Sequence, residues 1–357
     1  MTTRRGFLAS LIAVSAMPSL SWADAGSPAY LAAAKLADGT FALHGLTAQG
    51  VSVFAIPLPA RGHAATAHPT RPEAVAFARR PGVYAIILDC ANGAVITRLA
   101  PPDGTQFNGH GAFSQDGRIL YTSEVIGTTS EGRVGLWDAA NGYTRIRSWP
   151  SGGIGPHDLK RLPGSDTLVV ANGGIQTDPS DRTKLNIDTM HPNLAYLNAS
   201  GDITDLIELA PEYRQNSIRH LAIAADSTVA FALQWEGDPA EPAPLLGLHK
   251  QGFAPQLCAM PEAEMFMMQS YAGSIAFDPA GQEVAITSSH GGAVQIYGRD
   301  GTFLAGILRA DASGIAPTSN GFLLTDGFGT VSSIIDHNLV PITQGDALWD
   351  NHLVALA

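Results

Sequence analysis

Residues 109–123 read GHGAFSQDGRILYTS, and this stretch decides the fold. Two apolar runs flank the turn Asp116-Gly117, and an Asp-Gly pair between such runs is the strongest short-range signal of a β-hairpin. A second hairpin follows at 133–147, RVGLWDAANGYTRIR, around the turn Asn141-Gly142. Four short strands within roughly 40–50 residues form the unit of a β-propeller blade.

The same order of strands and turns repeats along the chain. Six full repeats begin near residues 62, 106, 152, 214, 269 and 311, and residues 28–61 supply three further strands. The innermost strand of that first blade is expected from the C-terminus, because Asn351-His352-Leu353 reads like the start of the other blades. Sharing one sheet between both ends of the chain removes an exposed edge. We therefore predict an all-β, seven-bladed β-propeller whose ring is closed by the C-terminal strand joining blade 1.

The amino terminus has the pattern of an export signal. Thr3-Arg4-Arg5-Gly6-Phe7-Leu8 places two arginines ahead of an apolar run, and Ser21-Trp22-Ala23 fits a cleavage site. This pattern is typical of a twin-arginine signal peptide and not of a transmembrane helix. We expect residues 1–23 to be that signal peptide, residues 24–357 to form a single propeller domain, and the mature protein to lie in the periplasm.

Composition limits the possible partners. The formal net charge is −11, whereas nucleic-acid binding requires a basic face, so no nucleic-acid partner is expected. Beyond the leader no apolar run is long enough to span a bilayer, so no stable membrane insertion is expected. The two cysteines, Cys90 and Cys258, fall in different predicted blades, so we expect unpaired core thiols.

A histidine recurs at the same point of five repeats, at the start of the predicted inner strand. Inner strands surround the central channel of a propeller, so five imidazoles are expected to converge near the channel mouth. Neutral imidazole is the commonest protein ligand for copper, zinc, iron and nickel. The alternative, in which each imidazole only bonds nearby backbone, stays open on the sequence alone. The predicted metal ligands are His63, His110, His157, His220 and His352.

Further candidates accompany this ring. Loops joining the second and third strands of each blade rise on the same face, and the longest is the insertion at 173–192. We expect this insertion to form a lid over the funnel, or else to be a solvated, turn-rich segment, and His191 and His290 to overlook the funnel. Two other residues adjoin ring histidines, where they would orient an imidazole, hold an anionic substrate or pair with each other. The loop candidates are Asp188, Met190, His191 and His290, and the adjoining ones are Asp158 and Arg219.

Six motifs carry a resemblance to a known family. Besides the leader they are GHGAFS at 109–114, GIGPHDL at 153–159, VANGGI at 170–175, KLNIDTM at 184–190 and SIRHL at 217–221. Together they resemble the bacterial family called domain of unknown function 1513, over essentially the whole mature chain. The chain departs from the family pattern at 106–108, where Gln-Phe-Asn replaces more basic and aromatic residues.

The resemblance implies a propeller similar to quinoprotein amine dehydrogenases and YVTN-repeat proteins. It also implies a place in iron-regulated gene clusters that encode imelysin-like periplasmic metal-binding proteins and dihaem-type oxidoreductases. Those two kinds of protein are therefore the expected partners, and periplasmic iron uptake is the expected process.

Three classes of function follow. The first is a protein that binds or relays iron or copper at the histidine-lined funnel, either as a bare ion or as haem iron. The second is an oxidoreductase or lyase with its active site in the same funnel, since the copper-cluster domain of nitrous oxide reductase is a similar propeller. The third is an interaction scaffold for a partner of the iron system. Propellers host all three, so the fold does not choose among them; we favour metal binding.

Overall fold

The described residues form seven four-stranded antiparallel sheets arranged as the blades of a propeller. The computed structural model describes residues 20–79 and 84–356. Most of the predicted signal peptide, residues 1–19, lies outside the described residues. The all-β, seven-bladed prediction is confirmed.

Each blade contains four strands, numbered in chain order. Blade 1 takes β1 (Tyr30–Lys35), β2 (Phe41–Leu46) and β3 (Ser52–Leu58), and blade 2 takes β4 (Gly62–Ala67), β5 (Glu73–Ala78), β6 (Ala85–Asp89) and β7 (Val95–Leu99). Blade 3 takes β8 (Thr105–Phe113), β9 (Ile119–Ile126), β10 (Glu131–Asp138) and β11 (Thr144–Ile154), and blade 4 takes β12 (Pro156–Arg161), β13 (Leu168–Asn172), β14 (Asn193–Leu197) and β15 (Ile203–Glu208). Blade 5 takes β16 (Asn216–Ile223), β17 (Val229–Trp235), β18 (Leu246–His249) and β19 (Gln256–Leu257), and blade 6 takes β20 (Ser274–Phe277), β21 (Glu283–Ser288), β22 (Ala293–Gly298) and β23 (Phe303–Leu308). Blade 7 takes β24 (Ala312–Pro317), β25 (Phe322–Asp326), β26 (Thr330–Ile335) and β27 (Asn338–Gln344), and β28 (Leu348–Ala355) completes blade 1.

Helical structure in the described part of the chain is confined to four short 3-10 turns. None of the described helices has the length and apolar character needed to cross a bilayer. The turns are Trp22–Ala25, Ile187–Thr189, Pro211–Tyr213 and Glu262–Glu264.

The C-terminal strand closes the ring. β28 pairs antiparallel with β1, with Tyr30 opposite Ala355 and Ala32 opposite Leu353. The inner strands of neighbouring blades contact one another all the way round, from β4 through β24 to β28 and back to β4. Leu353 and Trp349 are buried between blades 7 and 1. The prediction that both ends of the chain share blade 1 is confirmed.

Among the described residues, seven apolar clusters hold the blades together, one between each pair of neighbours. Each completely buried leucine or isoleucine contributes about 1.5–3 kcal/mol relative to an exposed one. Cys90 and Cys258 lie in two different clusters as free, buried thiols, as predicted. Burial raises the pKa of each thiol to about 12, so both stay protonated at neutral pH.

A β-bulge lies at or beside the ring histidine in all five inner strands that carry one. A bulge inserts an extra residue, bends the strand and re-aims the neighbouring side chains. Of the two inner strands without a histidine, β20 pairs with β21 without a shift of register, whereas β24 shifts its register against β25. Gly109, just before His110, has a φ of +100°, and a Cβ there would lie 2.8 Å from Cδ2 of His63. Only glycine fits that position without strain.

Candidate functional site

Five imidazoles meet inside the central channel and form a closed ring. Successive ring centroids are separated by 4.9 Å (His63–His110), 4.9 Å (His110–His157), 4.7 Å (His157–His220), 4.7 Å (His220–His352) and 4.5 Å (His352–His63). The sequence-based expectation that these five side chains converge is therefore met by the geometry. Their role as metal ligands is a separate question of chemistry.

The ring lies deeper than the sequence suggested. We expected the histidines at the channel mouth, but His110, His220 and His352 are buried, and His63 has only 11% of its side chain exposed. The reason is that β8 and β16 begin at Thr105 and Asn216, well upstream of their histidines. His110, His220 and His352 consequently sit well inside their strands, whereas His63 and His157 are the second residues of β4 and β12.

One carboxylate lies within hydrogen-bond distance of a ring histidine, and a second lies near another without bonding to it. Asp158 Oδ1 lies 3.3 Å from His110 Nδ1, and Asp350 Oδ1 lies 3.9 Å from His63 Nδ1. The Nε2 atoms of the same two histidines approach each other at 3.2 Å. A carboxylate on the far nitrogen is the usual way in which proteins orient a metal-binding imidazole and raise its basicity.

The two carboxylates are themselves fixed. Asp158 accepts hydrogen bonds from the backbone N–H of Leu159 (2.8 Å) and of Leu221 (3.0 Å). Burial alone would raise the pKa of Asp158, but Lys160 and His110 outweigh burial and lower it. Asp350 accepts from Arg61 Nε (2.5 Å) and Arg79 Nη1 (2.6 Å).

Burial keeps the imidazoles neutral. Desolvation lowers the pKa of His63 to about 4. It also lowers the pKa of His157, His220 and His352 well below the ordinary value for histidine. At neutral pH these four imidazoles thus carry free lone pairs, which is the form that binds metal ions.

Several ring nitrogens are buried with no hydrogen-bond partner in residues 20–79 and 84–356. They are Nδ1 of His63, His157 and His220, and Nε2 of His352. A buried polar atom without a partner costs about 1–3 kcal/mol. A cluster that tolerates four such atoms is more easily explained by a ligand-binding role than by backbone hydrogen bonding.

The cluster contains two overlapping sets of three potential ligands. One set is His63, His110 and His157, and the other is His110, His220 and His352. Within each set the ligand nitrogens all lie within 4.8 Å of one another. Tetrahedral coordination with bonds of about 2.0–2.1 Å places nitrogens roughly 3.4 Å apart, so the nitrogens of either set would have to move closer together to bind one ion.

A cavity of about 600 Å³ leads to one side of the ring. His110, His220 and His352 line it, together with residues that follow the histidines on the inner strands. Its walls include Pro163 and Asp278 from turns between first and second strands. The cavity therefore opens on the face opposite to the one that the sequence suggested.

Of the other residues predicted from the sequence, Asp158 contacts a ring histidine and the rest have other surroundings. Asp158 joins the ring through His110, whereas Arg219 donates from Nε to Gln234 Oε1 at 3.2 Å. His290 stacks on Tyr271 with ring centroids 3.9 Å apart. Among the loop residues, Asp188 and His191 are exposed and Met190 is buried. In the part of the chain that the structure describes, neither set of three ligands includes any of these residues.

Sequence reasoning missed Asp350 and the two arginines that bind it. Asp350 lies two residues before His352 but contacts His63, and this contact between blades leaves no mark in the local sequence. The repeated position of the histidines could be recognised in the sequence, whereas the carboxylate near His63 could not be predicted from it.

Comparison with known proteins gives the family. The family described as "Protein of unknown function (DUF1513)" matches residues 56–356. The chain belongs to this family. No curated protein matches this DUF1513 chain in sequence.

Solved structures similar to the DUF1513 propeller share its fold. Hydrazine synthase of Kuenenia stuttgartiensis has 13% identity and a TM-score of 0.60, covering 86% of this chain and 90% of that one. A structure of U3-55K has 10% identity and a TM-score of 0.59, covering 80% of this chain and 82% of that one. At such identities the likeness concerns the fold alone.

Proposed function

We propose that this DUF1513 propeller binds a first-row transition metal ion at its histidine ring, in the acquisition or relay of iron or copper. The observation that carries the proposal is the closed ring of five imidazoles, with centroids of successive rings 4.5–4.9 Å apart. His63 and His110 can share one hydrogen bond between their Nε2 atoms (3.2 Å), whereas a metal ion would satisfy several lone pairs of the ring at once.

The chemistry of the donors supports a bare ion. An all-imidazole set suits copper, zinc, iron and nickel, and the far nitrogen of His110 has a carboxylate, that of Asp158, at 3.3 Å. The rings pack edge to face with centroids 4.5–4.9 Å apart, a spacing that favours a bare ion over a haem macrocycle. Because burial lowers the imidazole pKa values, protons should displace the metal only well below pH 6.

The biological setting of the proposal rests on the leader and the family resemblance. Export through Arg4 and Arg5 would place the protein in the bacterial periplasm. There it would work beside the imelysin-like and dihaem oxidoreductase-like proteins of iron-regulated clusters.

Calorimetric titration of copper(II), zinc(II) and, without oxygen, iron(II) tests the metal site. We expect at least one metal to bind the parent with micromolar affinity or tighter, about −8 kcal/mol. The double variant His157→Ala/His220→Ala removes one ligand from each set of three and should lose this binding. The matched control, His191→Ala/His290→Ala, removes two histidines outside the ring and should bind as the parent does. Equal affinity in the parent and the ring variant would return these histidines to a structural role.

The cavity favours an enzyme as the second candidate. Three histidines with one side open to a cavity are the donor set of catalytic metal sites, which keep a coordination position for substrate or water. Activity would then depend on the metal and on the size of the molecule that the cavity admits.

A further inference from the structure

The two sets of histidines differ in access. His110, His220 and His352 line the 600 Å³ cavity, whereas His63 and His157 are absent from its walls as far as the described residues go. An ion held by His110, His220 and His352 would face the cavity with its remaining coordination position. Cavities of about 300–1,000 Å³ are typical of small-molecule sites.

Charge indicates what would fill that position. Three neutral imidazoles leave the charge of a divalent ion uncompensated, and a buried charge is costly unless it is paired. Two acidic residues line the cavity, and both already have partners. Asp158 lies 3.3 Å from His110 Nδ1 and 3.8 Å from Lys160 Nζ. Asp158 accepts from Leu159 and Leu221, and Asp278 accepts from three backbone N–H groups in its own turn.

The basic side chains of the cavity wall are both on β12. Arg161 is held by the carbonyl oxygens of Leu162 (3.2 Å) and Ser165 (2.8 Å). Lys160 forms a long ion pair with Asp158 (3.8 Å), but its side chain is 36% exposed and an ammonium group has three N–H donors, so it can contact a second anion. An anion in the cavity would consequently meet the metal ion at one end and an ammonium group beside it.

We propose that His110, His220 and His352 hold the ion, and that its open position takes the carboxylate of a small organic acid, with Lys160 as the second contact. This inference rests on the proposed metal-binding function and names the ligand class of the same site. The walls fit such a ligand: Ala222, Phe277 and Pro317 are apolar and leave space for a short carbon chain.

The test uses the full chain loaded with cobalt(II), whose visible spectrum reports its coordination. Succinate is the probe because it chelates cobalt weakly, and uncharged succinamide is its matched control. We expect succinate to change the cobalt bands saturably and succinamide to leave them unchanged. Lys160→Met should weaken succinate binding about tenfold, the effect of losing one charge-assisted hydrogen bond. Lys35→Met, which changes an exposed lysine outside the cavity, should have no effect.

Further variants distinguish the role of the cavity in succinate binding from the role of the histidines in cobalt binding. Ala222→Phe should block the succinate response by filling the cavity, while cobalt affinity is retained. His63→Ala and His157→Ala should keep the response, and His220→Ala should lose it. If cobalt binds but its spectrum ignores succinate, the carboxylate site is wrong and the metal site stands. If no cobalt binds, both the metal site and this inference are overturned.

Discussion

The carboxylate of Asp350 on β28 lies 3.9 Å from Nδ1 of His63 on β4, in the neighbouring blade. Asp158 also reaches a histidine of another blade. It follows His157 on β12 of blade 4 but contacts His110 on β8 of blade 3. Asp158 thus orients an imidazole of a neighbouring blade, and Asp350 places a negative charge beside one. The arrangement of the ring therefore depends on blade packing, and the C-terminal strand supplies both Asp350 and His352.

Removing the Asp350 charge should destabilise the fold. In Asp350→Asn, Arg61 and Arg79 lose their common partner, and the amide satisfies them poorly. Because both arginines are partly exposed, water offsets part of the loss, and we expect about 1–3 kcal/mol less stability. Calorimetric melting should show a midpoint lower by several degrees, with the exposed Asp188→Asn as the control. A variant that melts with the parent would show that this carboxylate does not fix the blade boundary.

Mild acid should destabilise the metal-free protein. The folded-state pKa of His63 is about 4, below the usual unfolded value near 6.5, and burial lowers it for three more ring histidines. Between these values the unfolded chain binds more protons, so stability falls as pH drops from about 6.5 toward 4. His63 alone should cost about 2 kcal/mol between pH 7.5 and pH 5. Urea unfolding at pH 7.5 and at pH 5 measures this loss of stability. His63→Gln should lose less stability between the two pH values than the parent does. An equal loss in both proteins would contradict the assignment of a buried, neutral imidazole.

Removing residues 351–357 should weaken ring closure. The truncation takes Leu353 out of the core between blades 7 and 1 and exposes the edge of β1. We expect a loss of several kcal/mol from packing and strand pairing. Removal of Ala357 alone is the control. A truncated protein that melts within about two degrees of the parent would be incompatible with a shared blade 1.

Export should depend on the paired arginines. In Arg4→Lys/Arg5→Lys the positive charge is kept but the guanidinium pair that the export receptor reads is lost. Cell fractionation should find the variant in the cytoplasm and the parent in the periplasm. Normal periplasmic amounts of the variant would show that the leader is not a twin-arginine signal.

The fold could be predicted from the sequence because its signals are local. Turns such as Asp116-Gly117 indicate the hairpins, and the repeated position of the histidines aligns the blades. The pairing of β28 with β1 could therefore be predicted as well. The depth of the histidine ring in the channel could not be predicted, because it depends on how far each strand extends before its histidine. The bulges at the histidines leave little trace in the sequence beyond Gly109, and contacts such as Asp350 with His63 arise only when blades pack. The cavity follows from the whole ring and could not be predicted.

The most direct test of the metal site is anomalous X-ray diffraction from crystals soaked in copper(II) or zinc(II), with data collected at the absorption edge of the metal. We predict a strong anomalous peak inside the channel, with at least three imidazole nitrogens of the ring at about 2.0–2.2 Å. Anomalous density confined to the protein surface, with none among the five imidazoles, would contradict the proposed metal site.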